Sequence, residues 1–340
     1  MKFHLKISLL VVFLLVLFCF SISFGFIQIP FKEILKIIFL QEKQNEVYYT
    51  IVFFVRLPQT LTAILVGSGL ALSGLLMQSL FQNPLASPSV LGISSGASLG
   101  VASVILFSGA NFSAWAMHQN LGNWTIAIAA ILGSSIVMVL ILLLSIRIRN
   151  NALLLIIGLM IGNFTSALVG IWQYFSRAES IKDYLLWTFG SLGGLPYEQI
   201  SILAFFVIFG TLLGIFLAKK LNILLLGEQY AQSMGLSIPK IRFGLIFISS
   251  ILAGSITAFC GLIGFVGMTV PHLCRLWLQT SDHRKLSIAC VLLGAVFVLF
   301  CDLLSKLPQE NTVLPINSVT ALVGSPFVIW IILSNKQLRF

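Results

Sequence analysis

The sequence predicts an all-α membrane protein with about ten transmembrane helices, and two observations carry this prediction. Of the 340 residues, 58% are hydrophobic and only 9% are charged, whereas soluble domains contain roughly 25% charged residues. The mean hydropathy is +1.05, and the apolar residues form long runs between charges, prolines and glycines. Runs of this length suit helices that cross a bilayer. The fold class is therefore a polytopic membrane protein, with residues 1–340 forming one transmembrane domain.

Ten apolar stretches are predicted as membrane spans. The first follows Lys2 and Lys6 and has no cleavage site of small residues after it, so we expect a retained helix instead of a signal peptide. The third and eighth are short and rich in glycine, which indicates helices packed inside the protein. The predicted spans are residues 7–27, 58–81, 88–107, 124–146, 152–173, 198–218, 241–260, 262–277, 286–304 and 314–333.

The distribution of basic residues orients these spans. With the N-terminus inside, ten spans place thirteen lysine and arginine residues on the inner side and seven on the outer side. This asymmetry follows the positive-inside rule, so we expect both termini in the cytoplasm. The net charge of +10 then reflects membrane orientation, and nucleic-acid binding is not expected. The five cysteines form no CxxC pair, and we expect them to be small buried side chains.

Small residues at helical spacing predict close contacts between helices. Gly92, Gly96 and Gly100 are four residues apart, so they share one helix face on which another backbone can approach. A similar group, which also recurs later in the chain, is expected to pack helices together in the same way. Its members are Gly67, Ala71 and Gly74, and their later counterparts Gly254, Ala258 and Gly261.

Two sets of matching residues indicate an internal repeat. The group above recurs after 187 residues. A second set recurs after 154 residues, with Asn163, Ser166 and Gly170 matching Asn317, Thr320 and Gly324. The copies cover about 56–175 and 243–340, that is, helices 2–5 and 7–10. Because span two starts outside and span seven starts inside, the repeat is expected to be inverted, which is typical of transporters with a pathway at the repeat interface.

The chain shows few residues that could carry chemistry. Asp302 and Lys306 are four residues apart and can pair, and His272 is a lone histidine for which we expect a structural role. No cluster of His, Asp and Glu has metal-ligand spacing, and no P-loop motif indicates an ATP site. We therefore expect a transport protein that is not an enzyme, binds no metal, and takes its energy from a partner.

Two segments outside the spans are expected to form short helices. The inner loop 219–242 contains a predicted helix over 228–234, ended by Gly235. Ala231 and Met234 are expected to present an apolar knob on the inner surface, with an ordinary interfacial helix as the alternative. The outer segment 180–196 is too polar to span a membrane, and we expect a half-helix or a capping loop there.

Six motifs occur in a fixed order and together cover essentially the whole chain. They are RLPQTL (56–61), QNPLASPSVLGISSGA (82–97), LGEQYAQSMGLS (226–237), GLIGFVGMTVPHLCR (261–275), SDHR (281–284) and LPINSVTALVGSPFVIW (314–330). As a set they resemble the permease subunits of the iron-chelate (siderophore or haem) and vitamin B12 ATP-binding-cassette (ABC) importers, the FecCD-type family. The resemblance implies ten helices per subunit and a location in the bacterial cytoplasmic (inner) membrane.

The resemblance also implies partners. These are a second permease subunit, expected to be identical, two ABC ATPase subunits on the cytoplasmic face, and an extracytoplasmic substrate-binding protein. The substrate is a metal chelate. ATP and magnesium are used by the partner ATPase, and this chain is expected to bind no cofactor itself.

Three groups of residues acquire roles through the resemblance. The residues expected to couple to the ATPase are Gly227, Glu228, Ala231, Met234 and Gly235. Those expected along the translocation path between the two subunits, on helices five and ten, are Asn163, Ser166, Gly170, Asn317, Thr320 and Gly324. Arg56 and the basic Lys306 are expected to dock the binding protein. Gln59 stands where the B12 importer has another arginine, so this docking surface is less charged.

Other interpretations remain open at this point. An ion-coupled secondary transporter needs ionisable residues inside the membrane, and few are present. A zinc/manganese-type ABC permease predicts fewer spans and a path with histidine or acidic residues. A membrane enzyme needs a catalytic constellation, which the sequence lacks. The sequence also leaves open which chelate is carried, although an iron chelate is favoured because it is the commoner assignment in the family.

Overall fold

The computed structural model describes residues 3–25, 27, 29–30, 33–34, 36–37, 46–106, 119–148, 150–307 and 313–334. Within these ranges the regular structure is helical and no β-strand is present, which confirms the predicted all-α class. Among the residues that the structure describes, seven helices are long and apolar enough to cross a membrane. The chain is therefore a multi-helix membrane protein, as the composition predicts.

Each of the ten predicted spans overlaps one helix. The helices are α1 (Phe3–Ser23), α2 (Leu57–Phe81), α3 (Ile93–Ile105), α4 (Gln119–Arg147), α5 (Asn151–Phe175), α6 (Tyr197–Leu224), α7 (Ile238–Cys260), α8 (Val266–Leu278), α9 (His283–Ser305) and α10 (Ile316–Ser334). The helices α3 and α8 have 13 residues each, about 20 Å, and are shorter than a hydrocarbon core of roughly 30 Å. A count of ten full crossings therefore stays a prediction.

Short helices flank several of these elements. A helix at Glu46–Thr50 and a π-helical turn at Ile51–Arg56 lead directly into α2. A helix at Ala178–Thr188 follows α5, so the segment that is predicted to lie outside forms the half-helix and not merely a capping loop. We call it the outer helix after that prediction. A loop helix, Glu228–Ser233, lies between α6 and α7, one residue shorter than predicted.

The helix α2 lies at the centre of the fold. Every residue over 66–81 is buried, as expected for a helix that is apolar on all sides. It is surrounded by α6, α7, α8 and α9. The small residues of the predicted packing face allow this, because Gly67 and Ala71 contact Gly294 of α9 and Gly74 contacts Gly267 of α8.

The glycines of α3 divide between two neighbours. A Cβ on Gly100 would lie 2.1 Å from the Ala129 carbonyl oxygen of α4, and Gly96 lies against the same helix. Gly92 differs from the prediction, because it is not on that face. It has a φ of +80° after the 3-10 turn Pro88–Leu91 and lies against α5. This left-handed residue separates the turn from α3, so the predicted continuous helix over 88–107 is wrong.

The second copy of the packing group is only partly equivalent to the first. Gly254 of α7 faces Ser134 of α4, with 3.2 Å between the built Cβ and the serine Oγ, and Ala258 is buried. Gly261 lies after the last residue of α7 with a φ of +72°. It therefore ends a helix, whereas its counterpart Gly74 lies within one. The inverted repeat itself stays a prediction.

Candidate functional site

A polar cavity of about 430 Å³ lies between α3 and α5, beside the outer helix Ala178–Thr188. Nine of its thirteen lining residues have polar side chains and none is charged, in a chain that is 58% hydrophobic. The lining residues are Ser89, Ser94, Ser95, Ser98, Thr165, Ser166, Val169, Gln173, Tyr184, Leu262, Ile263, Gly264 and Asn317. Pockets of this volume accommodate small ligands.

Two of the lining residues belong to the predicted translocation path. Ser166 is exposed on α5, and the side-chain oxygen Oδ1 of Asn317 accepts a hydrogen bond from the Gly264 amide at 2.9 Å. Sequence reasoning misses the serines of α3, because the glycine spacing there predicts packing alone. The available signal is the hydroxyl-rich stretch SPSVLGISSGAS at 87–98.

The remaining predicted path residues are divided between two environments. Asn163 and Gly170 are exposed on α5, and nothing lies within 4 Å of a Cβ built on Gly170. Thr320 is fully buried, and a Cβ on Gly324 would lie 2.9 Å from Oγ1 of Thr269. These two residues of α10 therefore face α8, and the structure does not bring them to the cavity.

Arg56 lies at the predicted outer end of α2 and is only 5% exposed. Its Nη1 donates to the carbonyl oxygens of Ile22 and Ser23 at 2.7 and 2.8 Å, and its Nη2 donates to the carbonyl oxygen of Ile27. The last carbonyls of a helix lack helical partners and favour a cation. Arg56 thus caps α1. That Arg56 docks the binding protein stays a prediction. Docking requires the charge of Arg56 to be accessible from the outer side of the membrane.

Lys306, the second predicted docking residue, is also buried. Its Nζ lies 2.6 Å from Oδ2 of Asp302, and their side chains are 8% and 2% exposed. The other carboxylate oxygen, Oδ1, accepts a hydrogen bond from Nε2 of Gln59 at 2.7 Å. The expected i, i+4 pair is therefore present. Through the hydrogen bond from Gln59, this pair joins α9 to α2 inside the protein. Docking of the binding protein through Lys306 stays a prediction.

The loop helix Glu228–Ser233 is bounded by two glycines that have positive φ angles. Gly227 has a φ of +101° and Gly235 a φ of +84°. A Cβ on either would meet nothing within 4 Å, so backbone conformation alone explains the choice of glycine. The start and the end of this helix are thus fixed locally by sequence.

The exposed side chains of this loop differ from those predicted. Ala231 is fully buried, so the prediction that it forms part of a surface knob is wrong. Met234 is 55% exposed, and it is joined on the surface by Tyr230 and Leu226. We call Leu226, Tyr230 and Met234 the apolar loop surface. Ala231 instead packs the loop helix against the helix bundle, because its small side chain allows a close approach.

The loop helix is tied to two long helices through Glu228. Its Oε1 accepts from Nη2 of Arg242 at 3.3 Å and from Nδ2 of Asn151 at 3.4 Å. Arg242, which is 5% exposed, also donates to the carbonyl oxygen of Ile148 at 3.0 Å. Asn151 begins α5 and Arg242 lies in the first turns of α7. Glu228 therefore links the loop helix to the starts of α5 and α7.

The SDHR motif forms a hydrogen-bonded junction that sequence reasoning did not assign. Oδ1 of Asp282 accepts from Nδ2 of Asn222 at 2.7 Å and from the Arg284 amide at 3.1 Å. The His283 ring lies 3.1 Å from Oδ1 of Asn222 and 2.6 Å from Oγ of Ser79. The Asn222 hydrogen bond is the main cause of a lowered pKa at Asp282. The junction joins α2, α6 and α9.

The lone histidine of the GFVGMTVPHLCR segment has a structural partner. Nε2 of His272 lies 2.9 Å from the Pro84 carbonyl oxygen, and because a carbonyl only accepts, this nitrogen donates. The bond holds the α2–α3 connection against α8. Among the described residues, no group of three or more His, Cys, Asp or Glu side chains is placed to hold a metal ion.

Known proteins resemble this chain over nearly its full length. The FecCD transport family model matches residues 13–334. The hemin transport system permease protein HmuU of Yersinia pestis is 32% identical over 337 residues, covering 99% of this chain and 97% of that protein. The vitamin B12 import system permease protein BtuC of Citrobacter koseri is 36% identical over 291 residues, which are 84% of each chain.

The fold also matches a solved structure. A metal-chelate type ABC transporter in an inward-facing conformation superposes with a TM-score of 0.83 at 27% sequence identity. The match covers 97% of this chain and 99% of that one. The HmuU match and this structural match therefore each cover nearly the whole chain.

Proposed function

The chain belongs to the FecCD transport family, and we propose that it is the membrane-spanning permease of an ABC importer for a metal chelate. Relatives named for hemin and vitamin B12 transport, and a solved neighbour of the metal-chelate type, support such a cargo. An iron chelate, a siderophore or haem, is the cargo we favour, and cobalamin is the other. The chain itself carries no ATP site, and its energy comes from a separate ATPase.

The observation that carries this proposal is the loop helix Glu228–Ser233. An apolar surface of Leu226, Tyr230 and Met234 is exposed there at a helix end, where an unpartnered apolar patch indicates a protein partner. The helix is held firmly by the buried Ala231 and by the contacts of Glu228. A firmly packed helix with an exposed apolar surface can bind an ATPase and transmit its conformational change to the rest of the permease.

The contacts of the loop helix indicate how this conformational change reaches the long helices. When ATP closes the ATPase pair, the loop helix moves, and Glu228 carries the movement to Asn151 of α5 and Arg242 of α7. Because α5 also lines the polar cavity, the same helix joins the coupling surface to the path. The permease thus alternates the access of its cavity, and the chemistry stays in the ATPase.

The proposed assembly contains further partners. A second permease subunit, an identical chain, packs beside this one, two ATPases bind the inner face, and a substrate-binding protein docks outside. This arrangement places both termini in the cytoplasm of a bacterial cell with the assembly in its inner membrane. The positive-inside distribution of Lys and Arg supports that orientation.

The test is reconstitution of the chain with its ATPase and binding protein in proteoliposomes. We expect uptake of a radiolabelled metal chelate only with ATP, the ATPase and the binding protein together. An ATPase variant that binds but does not hydrolyse ATP is the matched control. Chelate uptake that follows an imposed ion gradient without the ATPase would overturn the proposal in favour of a secondary transporter.

A further inference from the structure

The helices α6 and α7 pack antiparallel, and two contacts fix their register. A Cβ built on Gly210 of α6 would lie 2.7 Å from Cδ2 of Leu252 in α7. One built on Gly244 of α7 would lie 3.5 Å from Cδ1 of Leu217 in α6. Residue numbers therefore fall along α6 as they rise along α7, and the last turn of α6 lies beside the first turn of α7.

Two lysines come together at this end of the helix pair. In the register set by the contacts, Lys220 of α6 lies within one residue of the level of Lys240 of α7, and both side chains are exposed. Within the described residues neither lysine has an ion-pair partner. Glu228 and Asp282, the acids predicted on the inner side, pair with other basic residues. Because like charges at one level repel each other, an anion between the two lysines is favoured.

An apolar stripe runs from each of these lysines towards the middle of its helix. Residues that follow one another by four, three, four and three positions share one helix face. On α7 this face carries Lys240, Gly244, Phe247, Ile251 and Gly254, and on α6 it carries Phe206, Gly210, Leu213, Leu217 and Lys220. Gly244, Phe247 and Ile251 are half-buried, so the stripe of α7 is partly accessible from outside the helix bundle.

The stripe ends at a small apolar pocket of about 130 Å³ between α4, α6 and α7. Met138 of α4, Phe206 of α6 and Ile251 of α7 form its apolar walls. Three lining serines use their hydroxyls on carbonyls of their own helices, at 2.7 to 3.0 Å; these are Ser134, Ser250 and Ser255. Because these hydroxyls are already satisfied, the pocket suits a hydrocarbon chain better than a polar ligand.

The distance from the lysines to this pocket matches the depth of one lipid leaflet. Ile251 follows Lys240 by eleven residues, which is about 16 Å of helix. One leaflet contributes about 15 Å to the hydrocarbon core of a bilayer. A phosphate held by the lysines at the membrane surface therefore places its acyl chain along the stripe and the end of that chain at the pocket. A free phosphate ion has no group that reaches the pocket.

We propose that the groove formed by this stripe and pocket binds one anionic phospholipid of the inner leaflet, such as phosphatidylglycerol. Lys220 and Lys240 hold the phosphate, and the pocket holds the end of one acyl chain. Lys240 lies two residues before Arg242, which pairs with Glu228 of the loop helix. The bound lipid thus stabilises the start of α7 where the loop helix is attached. The site depends on the membrane orientation proposed above and not on the cargo.

Native mass spectrometry of the purified full chain tests the phosphate contacts. The chain is expected to retain one phosphatidylglycerol and no phosphatidylcholine with the same acyl chains. The double variant Lys220→Gln, Lys240→Gln is expected to bind phosphatidylglycerol about 30-fold more weakly, since each lysine near the membrane surface contributes about fivefold. Lys219→Gln is the matched control and is expected to bind with wild-type affinity, because this exposed lysine lies at the same depth but off the stripe.

A second measurement tests the acyl chain and separates a lipid from a free anion. Inorganic phosphate and a short-chain phosphatidylglycerol carry the charge but do not reach the pocket, so neither is expected to displace the long-chain lipid. Ile251→Trp fills part of the pocket and is expected to weaken long-chain binding about tenfold, because roughly two methylene groups lose their burial. Short-chain binding is expected to stay unchanged. The unfolding temperature of each variant in lipid-free detergent shows whether it is folded.

The outcomes separate this inference from the proposed function. Equal retention of phosphatidylcholine, wild-type affinity in the double lysine variant, or displacement by inorganic phosphate overturns the lipid site. If the lysine variants change only the affinity for the ATPase, Lys220 and Lys240 belong to the partner surface and the lipid site is also overturned. Selective retention of phosphatidylglycerol that is lost in the double lysine variant and kept in Lys219→Gln supports it. ATP-driven import is measured by chelate uptake, so it stands or fails separately.

Discussion

Gly67 and Gly294 face each other where α2 crosses α9, with no room for a side chain between the two backbones. A Cβ built on Gly67 would lie 2.1 Å from the Gly294 carbonyl oxygen, and one on Gly294 would lie 2.2 Å from the Gly67 carbonyl oxygen. Both obstacles are backbone atoms, which cannot turn aside as a flexible side chain would. The central helix is therefore held by direct backbone contact.

Gly67→Val is expected to destabilise the protein by about 3 kcal/mol, because the two helices must separate to admit the side chain. The measurement is the thermal unfolding temperature of the purified chain in detergent. Gly244→Ala is the control, since its Cβ would meet only a leucine methyl of α6 at an ordinary 3.5 Å. If Gly67→Val unfolds at the wild-type temperature, the contact between α2 and α9 is not as close as described.

Arg56→Ala is expected to lower stability by about 3 kcal/mol, since the carbonyls at the end of α1 lose a charged donor. Unfolding of the variant is compared with that of Arg177→Ala, which removes an exposed arginine. Capture of the binding protein is measured in parallel. Lost capture at unchanged stability would show that Arg56 acts in docking and does not cap α1.

Met234→Glu is expected to abolish ATP-driven uptake while the ATPase continues to hydrolyse ATP. The substitution places a carboxylate in the apolar loop surface, where its desolvation opposes the partner contact. Met234→Leu keeps an apolar side chain of similar volume and is expected to transport normally. The ratio of chelate imported to ATP hydrolysed is the measurement. Normal transport by Met234→Glu would remove Met234 from the coupling surface.

The sequence predicts the helices well because their signal is local. Long apolar runs and the φ required at Gly235 are properties of a few neighbouring residues, and helix ends follow from them. Which side of a helix faces inward depends on its neighbours. In a membrane protein, apolar residues face both lipid and core, so the pattern alone does not separate the buried Ala231 from the exposed Met234.

The candidate site shows the same limit. Ser166 and Asn317 lie in the cavity, as the resemblance implies for a path, whereas Thr320 and Gly324 face α8. Ser166 and Thr320 occupy equivalent places in the two matching segments, so sequence alone gives no reason to separate them. The difference arises because α10 packs on α8 along the face that carries Thr320. That contact joins segments about fifty residues apart and leaves no local signature.

Asp282→Ala is expected to lower stability by about 1 kcal/mol, because Asp282 caps α9 through the Arg284 amide. The pKa of Asp282 is lowered in the folded protein, mainly by the Asn222 hydrogen bond. Its ionised form is thus stabilising above the ordinary pKa of about 3.9, and that stabilisation is lost as pH falls through the folded value.

Unfolding temperatures across pH 3 to 7 provide the check for Asp282. The difference in unfolding temperature between the wild type and Asp282→Ala is expected to be largest at neutral pH. It is expected to shrink as the carboxyl becomes protonated, near or below about pH 4. Asp282→Asn keeps a capping oxygen without a titrating group, so its stability should not follow this trend. A gap that stayed constant with pH would show that the charge of Asp282 adds nothing.

Lys306→Met and Asp302→Leu are each expected to lower stability by about 3–5 kcal/mol. The Nζ and Oδ2 atoms of this pair are 2.6 Å apart and almost fully buried, and removing one partner leaves the other charge uncompensated. In Lys306→Met, the carboxylate of Asp302 keeps its hydrogen bond from the Gln59 amide. A single amide does not offset the desolvation of a full charge.

The double variant Asp302→Leu, Lys306→Met decides how this pair acts. Because it removes both charges together, its stability is expected to return to within about 1 kcal/mol of the wild type, far from the sum of the single losses. Thermal unfolding of all four chains gives the interaction energy. If the single losses simply add, the two side chains do not act as a pair. If the double variant is stable but no longer captures the binding protein, the pair also serves the docking surface.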